Sequence, residues 1–77
     1  MKIKLFVFGI LTDIMCTNEL NYDEASDTDS LDSEFKKKYP ELKNIPYRIA
    51  VNHNIVSGNT LLNDGDEVAF LPPFSGG

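Results

Sequence analysis

Asn63-Asp64-Gly65-Asp66-Glu67-Val68-Ala69-Phe70-Leu71-Pro72-Pro73-Phe74-Ser75-Gly76-Gly77 closes the sequence and divides into three parts. Asn63 to Asp66 is a turn of the Asp-Gly type, where short polar side chains and a glycine accept backbone angles that other residues resist. Glu67 to Leu71 reads as a strand, with Val68 and Phe70 on one face and Ala69 and Leu71 on the other. Pro72 and Pro73 then remove two successive backbone donors and fix φ, so the chain must leave the sheet. The adjoining spacer is extended and stiff. Gly76 and Gly77 carry no Cβ, which makes the tip thin. At 3.3–3.6 Å per residue, the segment after Leu71 reaches about 20 Å. Taken alone, Gly-Gly is also what a frayed terminus looks like. The expected division is a folded domain over 1–71 and an extended tail over 72–77.

Working back from that strand, Tyr47 to Val51 alternates large and small residues and reads as another strand. Asn52-His53-Asn54 is a turn, and Ile55-Val56 is at most a short edge strand. At the other end, Lys2 and Lys4 alternate with Ile3, Leu5 and Val7, and Phe6-Val7-Phe8 is apolar on both faces. Such a strand sits centrally in a sheet. Gly9 ends it, residues 10–17 are expected to be a connection, and Glu19 to Tyr22 a weak strand returning antiparallel beside the first. Leu31, Phe35, Tyr39 and Leu42 recur on one helical stripe. Ser26, Asp27 or Thr28 caps that helix, the run Lys36 to Lys38 suits its C-terminal end, and Pro40 stops it near Tyr39. One main helix on one face of a mixed sheet of four or five strands is an α+β design.

Composition narrows the function. The chain has 77 residues, 7 basic against 12 acidic, and a net charge of −5. That balance excludes most nucleic-acid binders, whose affinity rests on neutralising phosphates, and suits a basic protein partner instead. No apolar run approaches a membrane span, and the first residues lack a small-residue cleavage site, so a cytoplasmic protein is expected. Cys16 is the one cysteine, which excludes an internal disulfide and fits a reducing compartment.

Most catalytic constellations are missing. The one histidine, His53, sits in a polar turn far in sequence from Cys16, so no nucleophile–base pair suggests itself. Asp23, Glu24, Asp27, Asp29, Asp32 and Glu34 have neither the spacing nor the glycine of a calcium loop, and read as the solvated start of the helix. Asp64, Asp66 and Glu67 could bind a cation, but an acidic turn before a strand is the commoner meaning. No phosphate-cradling glycine loop exists. A domain that is not catalytic alone is expected, binding no cofactor and no metal.

Ile49-Ala50-Val51-Asn52, Ile55-Val56, and Leu62 followed by Asp64-Gly65-Asp66-Glu67-Val68 and Pro72-Pro73-Phe74-Ser75-Gly76-Gly77 together resemble the small subunits of molybdopterin synthase. These are sulfur carriers of the ubiquitin-like β-grasp fold. The resemblance is densest over residues 49–77. Two departures stand out: Gly9-Ile10-Leu11-Thr12-Asp13 replaces a small-x-x-Arg-Glu pattern, and Cys16 or a neighbour replaces a glycine common there.

The resemblance implies that Gly77 carries the chemistry. Its carboxylate would be adenylated by a partner enzyme that consumes ATP, converted to a thiocarboxylate with sulfur from a sulfurtransferase, and used to build the dithiolene of the molybdenum cofactor. The tail residues Phe74, Ser75 and Gly76 would enter the active site of the large subunit. Phe8, Ile55 and Leu71 match family positions that form a hydrophobic docking patch, in an assembly of two small and two large subunits. Some of the three could instead close a small core. A thiamine-pathway sulfur carrier and a ubiquitin-like modifier of the same fold are the alternatives.

Overall fold

The computed structural model describes residues 2–23 and 25–72. Its elements are β1 (Ile3–Val7), α1 (Ile10–Met15), β2 (Glu19–Tyr22), α2 (Thr28–Lys38), a 3₁₀ helix (Pro40–Asn44), β3 (Arg48–Val51), β4 (Asn54–Val56) and β5 (Glu67–Leu71). The strands form one five-stranded sheet in the order β2-β1-β5-β3-β4. β1 and β5 run parallel at its centre, and β1–β2, β5–β3 and β3–β4 are antiparallel. The expected α+β architecture, one main helix on a mixed sheet, is the one observed, and it is that of the ubiquitin-like β-grasp fold.

The register explains the alternation in the sequence. Leu5 lies beside Val68 and Leu20, and Val7 beside Phe70, so these side chains share the face that α2 covers. Ile3, Leu5, Val7, Val68 and Phe70 are all buried there. From α2, Leu31 and Phe35 reach the same layer, and Leu42 joins it from the 3₁₀ helix. Phe35 meets Phe70 edge to face at 6.0 Å, and Tyr47 stacks on Phe70 at 4.9 Å. Aromatic contacts of this geometry add to the stabilisation from area alone.

Local signals set the boundaries of α2. Asp27 is its N-cap, accepting from the Ser30 backbone N–H at 2.8 Å, and Lys36, Lys37 and Lys38 occupy the last turn. The chain stops being α-helical at Tyr39, the residue before Pro40, as proline sterics require. The acidic stretch has specific structural work. Asp32 bonds the Tyr47 hydroxyl and pairs with Lys36 at 3.0 Å, while Asp27 holds the cap. Burial, followed by the hydrogen bond to the Asp32 carboxylate, pushes the Tyr47 hydroxyl far above its ordinary pKa.

One expectation fails. Residues 10–17 are not a plain connection, because α1 occupies Ile10–Met15. Six residues with β-branched Ile10, Thr12 and Ile14 and no side-chain cap make a poor isolated helix. What holds it is Leu11 and Met15, spaced i,i+4 and both buried. It ends at Cys16, whose φ of 58° and ψ of 28° are left-handed. Glycine adopts that conformation freely and other residues do so at a cost.

Candidate docking face and tail root

The sheet face away from α2 is open. Extending the register across all strands, Glu19, Phe6, Ala69, Ala50 and Ile55 form one transverse row. Beside it, Leu71 lies opposite Arg48. Phe8 follows β1 at the same end of the sheet as Leu71, since Val7 pairs with Phe70 in the parallel ladder. Ala50 and Ala69 are small, so the centre of this face is shallow between the larger side chains at its sides. Phe8 is 47% exposed and Ile55 56%. Leu71 is half-buried. None of the three is enclosed in the core. Phe6, also half-buried, completes an apolar surface with the two alanines, of which alternation along β5 places Ala69 on this side.

The rim is polar. Lys4 pairs with Glu19 at 3.2 Å, and His53 Nε2 lies 3.5 Å from Glu67 Oε1. Phe6, Phe8, His53, Glu67 and Ala69 line a shallow depression on the face. An apolar centre within a charged margin is the anatomy of a protein-docking surface.

His53 itself is a turn residue. Asn52 and His53 have φ of 50° and 72°, the pattern of a tight two-residue hairpin between β3 and β4. Asn52 also clamps the start of β5. Its side-chain carbonyl accepts from the Glu67 N–H at 3.0 Å and its amide donates to Asp66 at 3.0 Å. Asp66 and Asp64 are likewise engaged with backbone N–H groups, of Asn63 and Lys2, so the acidic turn is a structural joint. Cys16 is exposed at the end of α1.

Of the residues expected to act, Phe8 and Leu71 lie at one end of the open face and Ile55 on its β4 edge, and Pro72 is buried directly after β5. Phe74, Ser75, Gly76 and Gly77 lie outside the described residues, as does Pro73, so the tail over 72–77 is described only at its root. Among the described residues, no group of three or more His, Cys, Asp or Glu is arranged to hold a metal ion. Among them, too, no helix is long and apolar enough to cross a membrane.

Comparison with known proteins agrees with this geometry. Residues 5–77 match the ThiS family. The molybdopterin synthase sulfur carrier subunit of Mycobacterium tuberculosis is 35% identical, with 99% of this chain and 98% of that protein covered. Subunits 1 and 2 of the Helicobacter pylori molybdopterin-converting factor have been solved as a complex, one chain of which matches at a TM-score of 0.77 and 28% identity, covering 100% of this chain and 100% of that one. The small archaeal modifier protein 1 of Methanosarcina acetivorans matches at 0.81 and 27% identity, covering 99% of this chain and 96% of that one. The chain belongs to the ThiS family, the β-grasp group in which the sulfur-carrier small subunits of molybdopterin synthase are found.

Proposed function

We propose that this chain is the sulfur-carrier small subunit of a molybdopterin synthase, with Gly77 as the group that is charged and discharged. The observation that carries the proposal is the contiguity of the open face with the tail root. Phe8 and Leu71 lie side by side at the end of the central strands, and Pro72 follows Leu71. A partner that grips this face therefore receives the tail from its edge.

The chemistry assigned to the tail follows from its functional group. A carboxylate at neutral pH is ionised and a poor electrophile, so a partner enzyme must first join it to AMP at the expense of ATP. A persulfide sulfur from a sulfurtransferase attacks the acyl carbon and AMP leaves. Cleavage of the resulting acyl disulfide by a thiol releases the thiocarboxylate, a soft anionic nucleophile. The large subunit supplies the acid–base groups while this chain supplies sulfur to the pterin precursor, in an assembly of two small and two large subunits. Gly76 gives the tip a width that a narrow active-site entrance admits. Phe74 and Ser75 enter the same passage behind it, and Phe8, Ile55 and Leu71 hold the large subunit. Such a cycle belongs in the cytoplasm, where thiols stay reduced.

Deletion of Gly77 tests the division of labour. The shortened chain is expected to melt normally and bind the large subunit, yet to transfer no sulfur. Transfer by the shortened chain at the normal rate would refute the proposal. The similarity to the archaeal modifier protein favours one second reading, in which Gly77 forms isopeptide bonds to lysines. Conjugates of this chain to other proteins, in place of a free thiocarboxylate, would establish it.

A further inference from the structure

The two central strands run parallel with Lys4 opposite Glu67 and Val7 opposite Phe70. Two residues further on, the same register sets Gly9 opposite Pro72. Here the two chains part. β1 turns through Gly9 into α1, and β5 gives way to the tail. Gly9 has φ 58° and ψ −136°, a conformation that L side chains rarely adopt. A Cβ built on Gly9 would lie 2.9 Å from Pro72 Cγ and 3.7 Å from Pro72 Cβ. The proline ring thus occupies the space that a side chain at position 9 would fill, and it is buried there.

Two independent features make this contact directional. Pro72 has no N–H, so it cannot donate a ladder hydrogen bond to β1, and its ring is rigid. The Leu11 and Thr12 N–H groups bond the Phe8 and Gly9 carbonyls at 3.2 and 3.0 Å, which ties Gly9 to the first turn of α1. Pro72 therefore leans on a surface anchored by α1.

We propose that Gly9 is a positioning residue for the tail: its bare Cα face seats the Pro72 ring and fixes the direction in which the chain leaves β5. The proposal rests on the reading that the tail is the reactive part. It assigns a task to Gly9 that its position at a strand end, taken alone, does not. With the seat filled, the open face would still dock, but the terminus would arrive misaligned. Displacements of about 1 Å in a reacting group can cost up to a hundredfold in rate.

The test is a cycle of Gly9→Ala, Pro72→Ala and the double variant. Sulfur transfer is measured in single turnovers at saturating large subunit, well below each melting temperature. Each single variant is expected to be slowed about ten- to a hundredfold with its affinity for the large subunit unchanged. The double variant should be no slower than the slower single, because one contact is lost in all three. A wild-type rate in Gly9→Ala, or losses that multiply in the double variant, would overturn the proposal. A second readout does not need activity. A nitroxide on Cys16 should broaden the Phe74 and Ser75 amide signals differently in each single variant than in wild type. Identical broadening in all variants overturns the proposal, and Pro72→Ala alone decides it if Gly9→Ala does not fold. If wild type itself transfers no sulfur, the functional reading fails, and the nitroxide readout still judges the seat.

Discussion

Replacing Ile55 with threonine separates docking from folding. Ile55 sits on β4, a three-residue edge strand, at the end of the transverse row on the open face. Burying a whole isoleucine side chain stabilises by about 1.5–3 kcal/mol. Because 56% of this one remains exposed, roughly 1–1.5 kcal/mol is left for a partner to gain. Threonine keeps the β-branch that suits a strand, so the fold should be little disturbed. Under a partner it offers less apolar surface and a hydroxyl that must be desolvated. Calorimetric titration with the large subunit should show Kd raised about five- to tenfold. The melting temperature should move by no more than about 2 °C. Leu61→Thr is the control. Leu61 is 75% exposed but lies beside Asp27, the residue that caps α2, and so belongs to another part of the surface. Equal loss of affinity in both variants, or none in Ile55→Thr, would refute the assignment of the open face.

Three further outcomes follow from local geometry. Cys16→Gly removes the strain of a left-handed residue and gives up only a 3.8 Å contact from Sγ to the Asp13 carbonyl. It should stabilise by about 0.5–1 kcal/mol, read as a rise of a few degrees in the thermal melt; a lower melting temperature would contradict the account of α1. Hydrogen bonds from Ser30 hold the Asp27 carboxyl below its usual pKa of 3.8, so its stabilising effect is present above that pH and lost as pH falls through the depressed value. The urea midpoints of wild type and Asp27→Ala should therefore differ at neutral pH and converge in strong acid; a gap independent of pH would show that the cap's charge is irrelevant. Tyr47→Phe removes the hydroxyl that donates to Asp32 and should cost about 1 kcal/mol at neutral pH. Because the folded pKa of Tyr47 is raised, wild type holds that advantage below pH 10 and loses it above, so the two melting curves should approach each other in alkali.

The strands and main helix were legible because their periodicities are clean. Ile3, Leu5 and Val7 against Lys4 fixed the inner face of β1, and the same count along β5 put Val68 and Phe70 inward. The same alternation puts Leu71 on the outward face, whereas the grouping of Phe8, Ile55 and Leu71 in one patch is implied by the resemblance and not by periodicity. Two things were hidden. The helix α1 was masked by β-branched residues of low helical propensity, although the i,i+4 pair Leu11 and Met15 was there to be read. The seat at Gly9 could not be seen, because it depends on the parallel register of strands 63 residues apart in sequence, Lys4 opposite Glu67. A glycine at a strand end announces a turn, not what leans against it.

The central claim is that the reactive group of this protein is its own last residue. Its most direct test is the intact mass of the chain after incubation with the partner adenylating enzyme, ATP and a sulfur source, followed by fragmentation to locate any change. The account predicts a gain of about 16 Da, one oxygen exchanged for sulfur, confined to Gly77. An unchanged mass would contradict it, and so would a gain of about 32 Da on Cys16, the signature of a persulfide on a side chain.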